Sequence, residues 1–295
     1  MIVGGGPAGL AAAFWLARYR RHTCVCDAGA ARNEPAWAVH GYPGLPDLPP
    51  HELRRRLRAQ ATGAGAQVVE DAVTAIEGAK DAFRVATEGG SGVHARRILL
   101  AFGRRDLLPS IPGLAEAYGI SAFHCPDCDG PSMEGARIGV IGWNRRAAAL
   151  ALFLLTWADT VVLLGHGRRP RLPDETRATL ARSCIEIRTA GIQALVVREG
   201  RIQSARLEDG GTVPLDGVFV HLGSVPASQL ARRLGCRISR SGAVRVNASQ
   251  ETTVPGVYAA GDLTGHPHLA IVAAAEGVRT ALAIHRSLLP AQYPV

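Results

Sequence analysis

The first thirty residues constrain the fold more tightly than anything else in the chain. Ile2 and Val3 make a brief apolar strand that runs into Gly4-Gly5-Gly6-Pro7-Ala8-Gly9, and Leu10 to Tyr19 then reads as an alanine-rich helix. His22 to Cys26 makes a second strand that ends in an acid, Asp27, about twenty residues beyond the glycine turn. Strand, glycine turn, helix, strand and acid at that spacing are the parts of a dinucleotide-binding unit. Gly4 permits the tight turn, Gly6 lets a pyrophosphate approach the backbone, and Gly9 lets the helix pack on the strand. The helix N-terminus holds the phosphates, and Asp27 is placed to accept hydrogen bonds from a ribose.

The plan repeats. Arg137 to Ile141 reads as a strand, Gly142-Trp143-Asn144-Arg145-Arg146-Ala147 as its turn, then a helix through Trp157 and a strand from Thr160 to Leu164. This second frame is impaired, because Asn144 stands where close approach to a pyrophosphate wants glycine, with the bulky Trp143 beside it. The loop after the strand carries Arg168 and Arg169, which could face the 2′-phosphate of an NADP-type ligand or be a solvated basic loop. NADPH at Gly142, Arg168 and Arg169 is therefore left open.

Strand-rich stretches follow each unit: Val68 to Ile76, Phe83 to Thr87 and Arg97 to Ala101 after the first, and Ile185 to Arg188, Ile192 to Arg198, Ile202 to Leu207 and Val218 to Gly223 after the second. Val257 to Ala260 is a strand ending in Gly261-Asp262, and Ala270 to Leu288 a long closing helix. Asp262 could reach the ribityl or pyrophosphate part of a flavin dinucleotide, cap a helix, or be a turn residue. The predicted fold is α/β, with two Rossmann-like dinucleotide-binding domains of three-layer ββα build. The second domain, 112–241, is inserted into a discontinuous FAD-binding domain formed by 1–111 and 242–295.

Composition removes several other functions. Of the 295 residues 47% are hydrophobic and 20% charged, which excludes global disorder. The formal charge of +8 permits anionic partners, yet Lys80 is the only lysine, the arginines are dispersed, and no basic block interleaved with aromatics appears, so nucleic acid is not an expected partner. The apolar opening is not read as a signal peptide, because Arg18, Arg20 and Arg21 follow the apolar run and the glycines and Pro7 break it. The longest later run, Ala147 to Trp157, falls short of the roughly 20 residues of a bilayer span. A soluble cytoplasmic chain is expected.

Six cysteines are too few for a disulfide scaffold, so their spacing carries the information. Cys184 and Cys236 have no nearby partner in sequence and read as small core hydrophobes. Cys125-Pro126-Asp127-Cys128 can close a redox-active ring or supply half of a zinc site; the other close pair, Cys24 and Cys26, lies in the strand leading to Asp27 and suits zinc poorly, so no metal is expected. Asp127 inside the ring is expected to disfavour a thiolate.

Together these segments resemble the low-molecular-weight thioredoxin reductase family of FAD flavoproteins. The resemblance rests on Gly4-x-Gly6-x-x-Gly9, Tyr42-Pro43-Gly44, Ala101-Phe102-Gly103, Cys125-x-x-Cys128-Asp129-Gly130, the second glycine frame and Val254 to Asp262. The Cys-Pro-x-Cys form, with Arg32-Asn33 and His40-Gly41-Tyr42, is similar to the branch containing dithiol oxidases of disulfide-bearing natural products. The resemblance implies FAD contacts from Gly4, Gly6, Pro7, Ala8, Gly9, Asp27, Asn33, Gly103, Gly261, Asp262 and Ala270. It further implies that Cys128 faces the flavin, Cys125 exchanges with the substrate sulfur, and Asp129 moves the proton.

One departure is His268-Leu269 in place of the family's Arg-Gln, so that His266 and His268 offer imidazoles as acid or base near the flavin or the dithiol. The implied activity is a homodimeric FAD-dependent disulfide oxidoreductase acting on a thioredoxin-like protein or on a small disulfide or dithiol. NADPH-driven reduction, dithiol oxidation to an acceptor such as oxygen, and a ferredoxin or second flavin as donor are all compatible with the sequence. So is a flavin-binding redox sensor without turnover.

Overall fold

In the computed structural model, residues 1–29, 31–265 and 267–290 are described. The chain divides into two compact units: residues 1–34, 42–105 and 225–295 form the first, and 35–41 and 106–224 the second.

The first unit is built on a five-stranded parallel sheet in the order Val257–Ala259, Ile98–Leu100, Ile2–Val3, Cys24–Cys26, Gln67–Val69. Its strands Val257–Ala259, Ile98–Leu100 and Ile2–Val3 are apolar because both faces are covered, whereas the edge strand Gln67–Val69 is largely exposed. On one face the alanine-rich helix Pro7–Arg18 buries Ala12, Ala13 and Leu16 beside the closing helix Ala270–Ser287. The two helices approach so closely that a Cβ at Gly277 would strike the Ala8 carbonyl. On the other face lies an antiparallel meander, Val73–Glu77, Phe83–Thr87 and Gly92–Ala95, whose Phe83 and Val85 meet Val3, Ile98 and Leu100.

The second unit repeats the three layers. Its parallel sheet runs Glu186–Arg188, Thr160–Leu164, Arg137–Ile141, Gly217–Val220, Ala122–Phe123. Alternation sorts the strand residues: Ile138, Val140 and Phe219 point to the layer containing helix Arg145–Leu154. Ile141, Val218 and Val220 point to the meander Ile192–Arg198, Arg201–Leu207, Thr212–Pro214.

Five features differ from the sequence expectation. The stretch 68–76 is two strands in two different sheets, parted where the Asp71 carboxylate accepts the N–H groups of Ala72 and Gly89. Helices Pro50–Gly63 and Asp174–Arg182 escape notice by periodicity because the first buries only Pro50, Leu53 and Ala61 and the second only Leu180. The helix expected to reach Trp157 stops at Leu154. Of the two cysteines expected in the core, Cys236 is buried, whereas Cys184 is exposed in the turn that follows helix Asp174–Arg182. Finally, the expected insert 112–241 differs from the structural division at both ends. Leu230, Ala231, Cys236 and Val244 fill the same core as Val3 and Phe83, which assigns 225–241 to the first unit. Among the described residues, no helix is long and apolar enough to cross a membrane.

Candidate active site

The first unit gathers its predicted residues at the carboxyl ends of the parallel strands, where open α/β sheets bind ligands. Gly4, at φ +111°, follows Ile2–Val3, and a Cβ there would strike the Ala101 carbonyl, two residues ahead of Gly103. A Cβ at Gly9 would strike Gly4. Gly6 caps the helix in extended conformation (φ −79°, ψ −177°), with no side-chain cap, and the space where its Cβ would stand is empty to 4 Å. Pro7 brings no N–H, Ala8 packs against Gly261, and Leu10 N–H donates to Gly6, so the N–H groups of Ala8 and Gly9 open the helix.

Asp27 lies beside this turn, close enough that any side chain at Gly5 would strike its carboxylate, while its Oδ1 accepts the Gly29 N–H at 3.0 Å. Arg32, just before the partly buried Asn33, donates to Asp262 Oδ2 at 2.7 Å. Asp262 is therefore an ion-pair partner within the short 3-10 turn Gly261–Thr264, the turn residue the sequence allowed and not a helix cap, since that turn has no side-chain cap. Buried Glu276, which no local sequence pattern announces, accepts the Gly261 N–H at 2.7 Å and the Thr264 hydroxyl at 2.9 Å. Ala270 opens the last helix, His268 is half-buried just ahead of it, and His266 lies outside the described residues. An uncapped helix N-terminus, open space where a Gly6 Cβ would stand and a carboxylate at the second strand end fit the pyrophosphate and ribose of FAD.

In the second unit Cys125 and Cys128 are joined by a disulfide at the start of the single-turn helix Pro126–Asp129. Cys125 is its N-cap, and its Sγ accepts the Cys128 N–H at 3.1 Å. The Asp129 carboxyl is pushed up to about 6 by burial, an effect that the nearby His40 charge partly offsets. Gly130 has no room for a Cβ because the Trp157 ring occupies that space. Asp127 is exposed, so solvent screens its charge from the sulfurs and weakens the effect expected of it. On the other side of Cys125, His124 Nδ1 is 3.0 Å from the Tyr118 hydroxyl and 3.6 Å from Asp106 Oδ2, and the same hydroxyl donates to Asp106 at 3.3 Å. This trio is invisible to sequence patterns because only the fold brings Asp106 and Tyr118 to the residue before the thiol. The pair is therefore flanked by an acid–base group on each side. Among the described residues no cluster of His, Cys, Asp or Glu could hold a metal ion.

The second glycine frame is closed by its own side chains. Asn144 caps helix Arg145–Leu154, its Oδ1 accepting the Ala147 N–H at 3.0 Å. Arg168 lies over the Trp143 ring at 4.4 Å, while Arg169 is exposed. Gly142 is wedged against Ala147 and His221, whose imidazole is held below its ordinary value by burial and by Arg146. An N–H that would bind a nucleotide phosphate is thus taken, and Arg168 is engaged with Trp143, so these residues do not fit NADPH as they stand.

Residues 1–277 match the family described as Pyridine nucleotide-disulphide oxidoreductase. The chain is 32% identical over 274 residues to thioredoxin reductase tcpT of Claviceps purpurea, covering 89% of this chain and 85% of that protein. It is 29% identical over 298 residues to the thioredoxin reductase of Aquifex aeolicus, covering 98% of this chain and 92% of that protein. The crystal structure of HlmI superposes with a TM-score of 0.91 at 34% identity, covering 97% of this chain and 91% of that one. The glycine turn, the Cys125–Cys128 disulfide and this kinship lead to one conclusion: the chain belongs to the pyridine nucleotide-disulphide oxidoreductase family and is an FAD-dependent disulfide oxidoreductase of thioredoxin reductase type.

Proposed function

We propose that the enzyme works in the dithiol-oxidising direction, converting a substrate carrying two thiols into its disulfide. The observation that carries this reading is the closed second frame, where Asn144 occupies the Ala147 N–H and Trp143 holds Arg168. With that site unsuited to a hydride donor, electrons enter through the sulfurs.

The chemistry starts at His124. Its imidazole, oriented by Tyr118 and Asp106, takes a proton from the first substrate thiol. The thiolate attacks Cys125 Sγ, the Cys125–Cys128 bond breaks, and Cys128 leaves with the electron pair, protonated by Asp129. The second substrate thiol, deprotonated in turn, attacks the substrate sulfur of the mixed disulfide and releases Cys125. The Cys128 N–H stabilises the departing Cys125 thiolate. The substrate has then lost two electrons and two protons, and the cysteine pair with its acid–base groups has gained them. FAD, when bound, supplies the two-electron acceptor, with dioxygen as terminal oxidant.

FAD is assigned to the uncapped turn Gly4, Gly6, Pro7, Ala8 and Gly9 for its pyrophosphate and to Asp27 for its ribose. Asn33, Gly103, Gly261, Asp262 and Ala270 are assigned to the remainder. His268 is a secondary acid–base candidate, because His124 is the imidazole that meets a carboxylate and directly precedes Cys125. A reductase fed by an acidic protein donor such as ferredoxin is a second reading, favoured by the charge of +8.

Anaerobic titration tests the proposal. Dithiothreitol should bleach the yellow flavin, with oxygen uptake on re-aeration, and NADPH should leave it yellow. The Cys128→Ser protein should keep its FAD and resist dithiol bleaching. Rapid bleaching by NADPH would overturn the direction, and bleaching by neither reagent would support the protein donor.

A further inference from the structure

Glu276 is 4% exposed in the closing helix Ala270–Ser287, whose buried face also carries Ala273, Ala274 and Ala281. A carboxyl group among alanines is costly to bury unless hydrogen bonds replace the lost water. Here those bonds come from another element. Both fall on Oε2, which accepts the Gly261 N–H at 2.7 Å and the Thr264 hydroxyl at 2.9 Å. The hydroxyl proton is shared with the Gly261 carbonyl, also at 2.9 Å. Gly261 and Thr264 are the first and last residues of the 3-10 turn, which has no side-chain cap at its own N-cap residue, Ala260. A helical turn begins with N–H groups that have no partner inside it, so the carboxylate of a helix further along the chain does the work of the missing cap.

The bond lies where three elements of the first unit meet. Gly261 stands at φ +74°, and a Cβ there would press on the methyl of Ala8, the second residue of helix Pro7–Arg18. Gly277, next to Glu276, packs on the Ala8 carbonyl. The carboxylate therefore ties the turn to the closing helix at the point where both press on the uncapped start of the first helix. Asp262, one residue beyond the capped N–H, is held by Arg32 at 2.7 Å. Two neighbouring N-termini are thus treated oppositely. The helix that begins at Pro7 has no side-chain cap, whereas the turn at Gly261 has its first N–H taken by a carboxylate.

We propose that Glu276 is a positioning residue for the flavin side of FAD. By capping the Gly261–Thr264 turn from the closing helix, it sets Gly261 and Asp262 against the open helix N-terminus, and by taking the Gly261 N–H it leaves the pyrophosphate to Ala8 and Gly9. The inference rests on the assignment of FAD to that N-terminus and adds the residue that fixes the wall beside it. Glu276 acts through Gly261 and Asp262 and has no part in thiol exchange.

FAD and ADP separate this role from a general loosening of the unit, because ADP carries the adenosine and the phosphates but no ribityl chain or flavin ring. Calorimetry reads the binding of each to folded apoprotein. Glu276→Leu strands the Gly261 N–H and should weaken FAD roughly tenfold while ADP changes by less than about twofold. Glu276→Gln keeps an acceptor oxygen and should bind FAD within about threefold of wild type. Equal losses for FAD and ADP, no loss for FAD, or a Glu276→Gln protein as weak as Glu276→Leu would each overturn the proposal. Thr264→Val, which spares the Gly261 bond, carries the test if Glu276→Leu does not fold: FAD should weaken about threefold with ADP unchanged, and unaltered FAD binding would overturn it. Gly6→Asn in the same assay keeps the underlying assignment apart. If it loses FAD and Glu276→Leu does not, the role of Glu276 alone falls, whereas FAD held by both variants removes the assignment as well.

Discussion

Gly6 and Asn144 occupy the same position in two copies of one fold. Each is the extended N-cap of a helix that follows the first strand of a parallel sheet, at φ −79°, ψ −177° in one and φ −125°, ψ 174° in the other. Above Gly6 there is empty space and the helix has no side-chain cap. At Asn144 the side-chain amide turns back and takes the Ala147 N–H for itself. A helix N-terminus binds an external anion only while its own N–H groups are uncommitted. On the proposed reading, two side-chain choices, the amide at 144 and the indole at 143 that meets Arg168, would separate a nucleotide site from a structural repeat of one.

The largest effect should come from moving the amide into the first turn. Gly6→Asn places a side chain in the space assigned to the pyrophosphate and gives the helix a cap it lacks. FAD affinity should fall at least about 100-fold, or roughly 3 kcal/mol. The apoprotein should melt within a few tenths of a kcal/mol of wild-type apoprotein, because glycine is itself tolerated at an N-cap. Visible absorbance after gel filtration and thermal melting of both apoproteins read the two quantities. A yellow variant with unchanged affinity would break the comparison.

The contrast between the two turns is only partly legible in the sequence. The two glycine frames, the cysteine pair and Asp27 are local patterns, and the damage at Asn144 shows as a missing glycine. That the amide completes a cap depends on how the turn folds, which spacing does not specify. Asp106, Tyr118 and His124 form a trio because the end of strand Arg104–Asp106 meets the residues that flank strand Ala122–Phe123, and His40 acts on Asp129 from an arm that the sequence would leave with the first domain. The 225–241 segment falls across the expected boundary for a similar reason: Leu230 and Cys236 are apolar enough for either core, and only packing against Phe83 decides between them. Helix Pro50–Gly63 turns so polar a surface to solvent that hydrophobic periodicity passes over it.

If the second unit serves the thiols and not a nucleotide, its burial should be costly where thiol chemistry needs it. Asp129 is the place to look. A folded carboxyl titrating at about 6 keeps a proton that the unfolded chain releases near its ordinary 3.8. The native state is therefore favoured below that lower value, and the advantage is lost as pH rises through about 6. Asp129→Asn, which cannot ionise, should be more stable than wild type by about 2 kcal/mol at pH 8, with the gain vanishing near pH 4. Its reaction with dithiols should slow on the order of 100-fold, since departing Cys128 loses its proton donor. Parallel pH–stability curves for the two proteins would remove Asp129 from this role.

The smallest effect is the sharpest test of what Asn144 does. Helix Arg145–Leu154 begins with two arginines and has no acid in its first turn, so its charges oppose the helix dipole and the Asn144 cap is the compensation visible there. Asn144→Ala should therefore cost about 1 kcal/mol, a fall of a few degrees in melting temperature, while Asn144→Gly costs only a few tenths. Dithiol turnover should be the same in both. Freed of its cap, the Asn144→Gly helix still begins beside Trp143 with Arg168 stacked on it, so NADPH should bleach the flavin only when Trp143→Ala is added. Bleaching in the single variant would mean that the amide alone closes the second frame, and the indole would then have no part in keeping a nucleotide out of this unit.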